Sequence, residues 1–265
     1  MNQESQESKI PEAKKSQSLS RQWMRLALII LSFLLYPVTF AYLSCPIIIE
    51  AAGLGIVSGG LAVIALLFLS SILLGRLWCG WFCPSGGLQE ITRLFGDRPL
   101  RTRKLDWLKY PVFVGIFGSL AFAIWSSGGL KIIDLFYRTE YGISILAAGG
   151  FVAFLGPVVI TLVFALIFGR RGFCHTFCPL AVMLIIGRKI RTIAGWPALR
   201  LEAEKSRCID CRKCSEECPM SFTVNTLVQE GKMENTDCIL CGNCADTCPK
   251  GVIRYAWRGK ESRSD

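Results

Sequence analysis

The chain of 265 residues contains a single histidine, His175. A haem held between two histidines within a helical bundle is therefore excluded for this chain by itself. Charge is missing from four long stretches. Residues 26–49, 51–75, 110–130 and 141–169 carry no Asp, Glu, Lys or Arg. One globular core does not require four such blocks, whereas a bilayer asks for about 20 apolar residues per spanning helix. An ordinary soluble globule is excluded on that ground. No paired carboxylates, nucleophile triad or nucleotide-binding glycine loop stands out. The glycines at 53–60 and 149–150 lie in or beside the apolar blocks, where close helix packing accounts for them.

What is present begins with hydrophobicity: 52% of residues are hydrophobic and the mean hydropathy is +0.42. The blocks predict four spans, at about 26–45, 54–75, 108–128 and 147–169. The segment before the first span holds 5 Lys and Arg residues, the stretch 76–109 holds 7 and the chain from Arg170 onward holds 16. The stretch 129–148 holds 2, Lys131 and Arg138, and 46–53 holds none. The positive-inside rule places both termini and the middle loop in the cytoplasm of a multi-pass protein of the cytoplasmic membrane. The net charge of +10 is then explained by contact with membrane lipid, and no nucleic acid partner is expected. Trp23, Trp78, Trp81, Trp107, Tyr110, Trp125 and Tyr141 sit near the expected span ends, as an interfacial belt requires. Residues 1–20 read as a disordered cytoplasmic tail. The apolar run after them is longer than a signal-peptide core and reads as a retained helix. Residues 129–148 form either an amphipathic segment on the outer surface or a surface loop.

Thirteen cysteines are the second anomaly. Cys208, Cys211, Cys214 and Cys218-Pro219 form one CxxCxxCxxxCP run; Cys238, Cys241, Cys244 and Cys248-Pro249 form another, at an offset of 30. Three thiolates on a tight loop can cap three irons of a cubane, and the fourth must arrive from elsewhere. Both runs resemble the bacterial two-cluster ferredoxins. That likeness implies that Cys208, Cys211, Cys214 and Cys248 hold one [4Fe-4S] cluster, and Cys238, Cys241, Cys244 and Cys218 the other. Zinc also uses paired CxxC spacings, but needs neither the fourth cysteine nor the doubled Cys-Pro. Disulfides do not suit a reducing cytoplasm.

A second pair of motifs repeats at an offset of 95. One is Arg76-Leu-Trp-Cys79-Gly-Trp-Phe-Cys83-Pro84; the other is Arg171-Gly-Phe-Cys174-His-Thr-Phe-Cys178-Pro179. Each follows an even-numbered span, so the chain reads as two repeats of a hairpin and a CxxxCP motif. Packed about a pseudo-two-fold along the membrane normal, the repeats would bring Cys79, Cys83, Cys174 and Cys178 near each other. Four thiolates there suit a third cubane, a copper or zinc site, or a dithiol relay. Arg76 and Arg171 would lower thiolate pKa values or offset the charge of a metal site, or else anchor the chain at the interface. His175 is an interfacial polar residue, a metal ligand or a proton carrier near a quinone. Cys45, before Pro46, reads as structural.

These motifs, with Arg21-Gln22 before the first span, resemble those of the membrane-bound polyferredoxins of the quinol dehydrogenase type. That group takes in NapH-like subunits and the membrane portions of NosR-like and CcoG-like proteins. The resemblance spans about residues 20–255, and in size NapH is nearest. These residues show neither the N-terminal flavin-binding domain of NosR-like proteins nor the C-terminal extracytoplasmic domain of CcoG-like ones. It implies a mainly α fold: a four-helix transmembrane bundle of two hairpins (21–195), a C-terminal α+β ferredoxin domain (200–256) and a polar tail (257–265). It also implies electrons moved between quinol and a protein redox partner, as a quinol dehydrogenase subunit if the chain is an enzyme. Basic residues around Arg207, Arg212 and Lys213 would steer an acidic partner or lie beside anionic lipid. The rival readings are reduction or delivery of a metal such as copper to a partner oxidoreductase, and a redox sensor-regulator.

Overall fold

The structure, a computed structural model, describes residues 12–94, 96–100, 104–146 and 149–259, with backbone alone for residues 12–19 and Leu94. The expected tail as far as residue 11, Arg101, Arg103, the first two positions of the fourth expected span and residues 260–265 lie outside the described residues.

Helix α1 (Glu12–Leu34) starts within the stretch expected to be a disordered tail. Its upper half does not continue straight. Helix α2 (Tyr36–Leu43) leaves it at a bend of 80°, so the first expected span is not one rod. Pro37 supplies the reason. It has no N–H to give to the carbonyl one turn back, and it sits in the first turn of α2, where a helix tolerates it. A short helix α3 (Cys45–Gly53) then occupies the stretch that charge counting leaves as an outer loop, and it packs against a later span. Strand β1 (Ile56–Ser58) leads into α4 (Gly59–Leu74), whose first turn is capped by the Ser58 hydroxyl accepting from the Leu61 N–H. The first CxxxCP motif forms α5 (Leu77–Trp81), and α6 (Pro84–Ile91) follows it.

The second half repeats the plan. Helix α7 (Lys109–Ser126) is followed by β2 (Ile132–Asp134), α8 (Gly150–Phe168), the motif helix α9 (Gly172–Thr176) and α10 (Pro179–Ala194). The exposed strand β2 pairs in parallel with β1, Ile56 opposite Ile132. The segment 129–148 is thus a looped surface connection, and no amphipathic helix forms among its described residues.

Among the described residues α7 and α8 are each long and apolar enough to cross a membrane, and the bent α1–α2 pair makes a third candidate. Helix α4, with 16 residues, reaches about 24 Å, short of a hydrocarbon core about 30 Å thick. Val114, Phe122, Phe151, Val152 and Leu166 all stand more than half exposed, the surface of helices that face lipid. This is a membrane protein.

The two halves pack reciprocally. Helix α6 lies against α1 of its own repeat and α8 of the other; α10 lies against α7 of its own repeat and α4 of the other. That exchange is the signature of a pseudo-two-fold axis. The motif backbones match as well. Cys83 and Cys178 each precede a Pro at the start of a helix, with φ/ψ of −72°/118° and −68°/112°.

The C-terminal unit is closed by β3 (Ala198–Ala203) and β4 (Ile253–Arg258), antiparallel, with Ala198 opposite Arg258. It therefore runs slightly beyond 200–256, and Trp257 and Arg258 belong to the strand and not to a polar tail. Between the strands lie the short helices α11 (Lys213–Glu216), α12 (Val224–Gln229) and α13 (Asn243–Thr247). Met220, Phe222, Val228, Ile239, Leu240 and Val252 fill its interior. That core is continuous with Ile64, Leu67 and Leu184 of the helical part, so the two parts share apolar contact.

Candidate metal centres

Each cysteine run of the C-terminal unit winds the same way. Asp210 and Arg212 flank Cys211 with positive φ, and Leu240 and Gly242 flank Cys241 likewise. Further on, Ser221 and Gly251 repeat the pattern at the same offset. Left-handed residues on both sides of the middle cysteine curl the loop so that successive thiols turn inward. Two hollows result. One is lined by Cys208, Cys211, Cys214 and Cys248, the other by Cys218, Cys238, Cys241 and Cys244. The last cysteine of each run thus crosses to the hollow of the other. The first hollow lies nearer solvent, with Cys211 exposed; the second is walled by buried Cys218, Cys241 and Cys244. Burial pushes the Cys218 thiol up to about 12, and neighbouring Cys241 adds to the effect. Burial raises Cys244 as well, ahead of Cys241, Cys238 and Cys218. Thiols so placed stay neutral unless a metal stabilises the thiolate. Four cysteine sulfurs around one hollow are the ligand set that a cubane takes.

The CxxxCP cysteines also converge. Burial raises Cys79, Cys83 and Cys178, Cys83 to about 12, and Cys174 acts on all three. Cys178 is further raised by Cys83 and Cys79, so all four thiols lie in one neighbourhood. The Gly86 amide pulls Cys83 down and the Ala181 amide pulls Cys178 down, the same position in each repeat. Gln89, buried in α6, donates through Nε2 to Cys174 Sγ at 3.3 Å and accepts from the Phe173 N–H. Among the described residues no three His, Cys, Asp or Glu side chains are grouped as a single metal ion requires.

Two arginines flank this quartet, and neither is an interfacial anchor. Arg76 is 0% exposed and Arg171 is 1% exposed. Arg76 donates to Asp237 Oδ1 at 2.7 Å, and Lys109, also buried, reaches the same oxygen at 2.8 Å. Arg171 donates to the Cys79 carbonyl at 2.6 Å and to Glu90 Oε1 at 3.2 Å, and Glu90 also pairs with Arg25. Against burial, which would raise them, these cations hold the carboxyls of Asp237 and Glu90 below their usual range.

Neighbouring side chains dock the C-terminal unit. Trp81 Nε1 donates to the Leu240 carbonyl at 3.1 Å, Arg188 to the Cys238 carbonyl at 3.2 Å and Gln22 to the Cys241 carbonyl at 3.2 Å, while Arg21 pairs with Asp246. Gly80 has no side chain because the Ile239 carbonyl oxygen occupies that space. The loop 237–241, which carries two cysteines of the more buried hollow, thus rests on the first CxxxCP motif.

His175 is fully buried, with Nδ1 3.5 Å from Asp106 Oδ1 and its ring against Phe222. Cys45 opens α3. Arg207, Arg212 and Lys213 are exposed around the outer hollow, and Arg207 pairs with Glu204. Sequence reasoning did not single out Asp237, Glu90, Gln89, Arg25 or Lys109. The one available signal was a charge at the edge of an apolar block, as at Arg25 and Lys109.

Comparison with known proteins agrees with this anatomy. A family model described as a 4Fe-4S binding domain matches twice, at residues 57–103 and 149–197, and one described as a 4Fe-4S dicluster domain matches residues 207–253. The twofold match falls on the two CxxxCP repeats, and the dicluster match on the two crossed hollows. This is the class of the ferredoxin-type iron–sulfur proteins. The chain belongs, within it, to the NapH/NosR-like family of membrane-associated electron-transport proteins. It is 26% identical over 181 residues to an uncharacterized protein of Methanocaldococcus jannaschii, covering 62% of this chain and 67% of that protein. It is 27% identical over 176 residues to the methylamine utilization ferredoxin-type protein MauN of Methylorubrum extorquens, covering 62% of this chain and 54% of MauN. It is 26% identical over 175 residues to the regulatory protein NosR of Pseudomonas aeruginosa, where the match covers 22% of that longer protein. No solved structure matches this chain.

Proposed function

We propose that this iron–sulfur electron-transport protein exchanges electrons between the quinone pool and a protein redox partner, with its ferredoxin unit on the cytoplasmic side. Cys208, Cys211, Cys214 and Cys248 would hold one [4Fe-4S] cluster and Cys218, Cys238, Cys241 and Cys244 the other. The observation that carries this reading is the crossing: each hollow is ringed by three cysteines of one run and the last cysteine of the other. A bound cubane supplies a one-electron couple, which a two-electron quinol needs in pairs or in succession. The chain's own residues set the rest. The three arginines Arg188, Arg191 and Arg200 gathered on Glu234 favour the extra negative charge of a reduced centre nearby, while burial of the second hollow opposes it. The exposed outer hollow, with Arg212 and Lys213 beside it, offers a face to an acidic partner.

The quinone side is supported by an apolar groove of about 360 Å³ at the α1–α2 bend, lined by Leu28, Leu31, Leu35, Tyr42, Trp78 and Phe82 among others. Its volume falls in the range of small-molecule sites, about 300–1,000 Å³. Trp78 and Phe82, which stack at 5.5 Å between their ring centres, precede Cys79 and Cys83 of the first CxxxCP motif, so a ring seated there would lie close to its cysteines. The test is anaerobic reduction of the detergent-solubilised protein by a soluble quinol, followed by visible absorbance and EPR. The expected result is bleaching by quinol, with Cys248→Ser losing the signals of one ferredoxin cluster. Clusters that dithionite reduces and no quinol does would refute the quinone reading.

A further inference from the structure

The buried charge around the CxxxCP quartet does not balance. On one side Arg76 and Lys109 share the single carboxylate of Asp237; on the other Arg171 and Arg25 share that of Glu90. In each group a motif arginine meets a cation from the first helix of the other repeat on one carboxylate; the cations follow the pseudo-two-fold, whereas Glu90 comes from α6 and Asp237 from the C-terminal unit. Four cations therefore face two carboxylates in a region where Arg76, Arg171 and Lys109 are at most 1% exposed and Arg25 is 6% exposed. Asp106, beside His175, keeps 22% of its side chain exposed and answers partly to solvent. Moreover, Arg76 Nε and Nη2 and Arg171 Nε are buried without a hydrogen-bond partner. An uncompensated buried guanidinium is strongly destabilising, so a stable fold of this design calls for an anion among these groups. Four neutral thiols do not provide one. A cubane does: four thiolates on an oxidised [4Fe-4S] core carry a net charge of about −2, which matches the excess.

We infer that Cys79, Cys83, Cys174 and Cys178 hold a third [4Fe-4S] cluster, shared between the two repeats across the pseudo-two-fold, with Arg76 and Arg171 as its charge-compensating partners. The inference rests on the proposed function in one respect, that this chain binds cubanes. The chain supplies two ligands from each repeat. Cys83 and Cys178 stand at the mouths of α6 and α10, where Gly86 and Ala181 turn amides toward them. Gln89 adds a donor to Cys174. Gly86 has no side chain where Arg171 passes: a Cβ there would stand 2.5 Å from Arg171 Nη1 and 3.1 Å from the Cys79 carbonyl oxygen. The glycine thus keeps open the channel through which the guanidinium reaches the quartet. The position also fixes an order. Arg76 bridges from this quartet to Asp237, next to Cys238, so the third site neighbours the buried ferredoxin hollow and not the exposed one. The three centres would lie in sequence from the membrane edge to the solvent-facing hollow.

The experiment is a metal and sulfide count on the full chain purified anaerobically in detergent, with Mössbauer spectroscopy on iron-57-labelled protein. The expected result is about 12 iron and 12 sulfide per chain, all in cubanes. Cys178→Ser should lower both counts by about one third and leave the two ferredoxin EPR signals in place, while Cys45→Ser should change nothing. About 8 iron in the unmodified protein overturns the inference, as does stoichiometric copper or zinc beside 8 iron. Either of those results leaves the two-cluster reading standing; loss of the ferredoxin signals in the unmodified protein would sink both. The count on the unmodified chain decides the matter even where the Cys178 variant fails to fold.

Discussion

Replacing Gly80 by alanine tests whether the ferredoxin unit is docked as described. Gly80 lies between Cys79 and Cys83 in α5, and its missing side chain is what lets the 237–241 loop approach. A Cβ there would overlap the Ile239 carbonyl oxygen and stand 3.4 Å from its carbon and 3.6 Å from Cys241 Cα. All three are backbone atoms, so no side chain can swing aside. The loop cannot easily retreat either. Ile239 and Leu240 are each 1% exposed, and the Leu240 carbonyl accepts from both Trp81 Nε1 at 3.1 Å and Tyr255 OH at 2.7 Å. Overpacking of this kind costs about 1–3 kcal/mol. At about 2–4 °C of Tm per kcal/mol for a domain of this size, Gly80→Ala should lose about 2–12 °C. The assay is thermal loss of the visible iron–sulfur absorbance in detergent, paired with the rate at which a quinol reduces the clusters. Gly115→Ala is the control: nothing lies within 4 Å of a Cβ there, and alanine is the better helix former by about 1 kcal/mol. If Gly80→Ala melts and reduces like Gly115→Ala, the docking of the two parts is wrong.

Two further outcomes follow from the charge network. Asp237→Asn should strand Arg76 and Lys109 without a countercharge and destabilise the protein by about 3–5 kcal/mol, with Asp237→Glu recovering part of that; equal melting of the two variants would contradict the buried network. Asp97 is held at about 2 by its hydrogen bonds to Arg170 and Arg93. Its folded pKa is below the unfolded value near 3.9, so its stabilisation is complete above that value and is lost as pH falls toward 2. Acid titration between pH 5 and 2 should therefore show a steeper loss of stability in the unmodified protein than in Asp97→Asn, and identical slopes would refute the pairing.

Much of the candidate site was legible in the residues. The four uncharged blocks announced a membrane chain, since no soluble core needs them. The offsets of 30 and 95 announced two separate duplications, since a thiolate ligand set is written into spacing. The bend between α1 and α2 was marked by Pro37 but hidden by the unbroken hydrophobicity around it, because composition alone does not distinguish a rod from a hinge. Residues 45–53 were equally opaque: an uncharged stretch that ends in Glu50 reads as a loop by charge, and only its packing against α7 makes it a helix.

The sequence by itself determined the covalent chemistry: which cysteines exist, in what spacing, and which segments shun water. Those properties are local, and each follows from residues within a few turns of one another. Tertiary structure alone decided the electrostatics. Arg76 and Asp237 are 161 residues apart, and Arg171 and Cys79 are 92 apart. Nothing in the local composition says that an arginine beside a CxxxCP motif lies buried among thiols instead of at the lipid surface. That follows only when α6 and α10 cross between the halves and the 237–241 loop closes over them, removing the water that would otherwise have screened the charge.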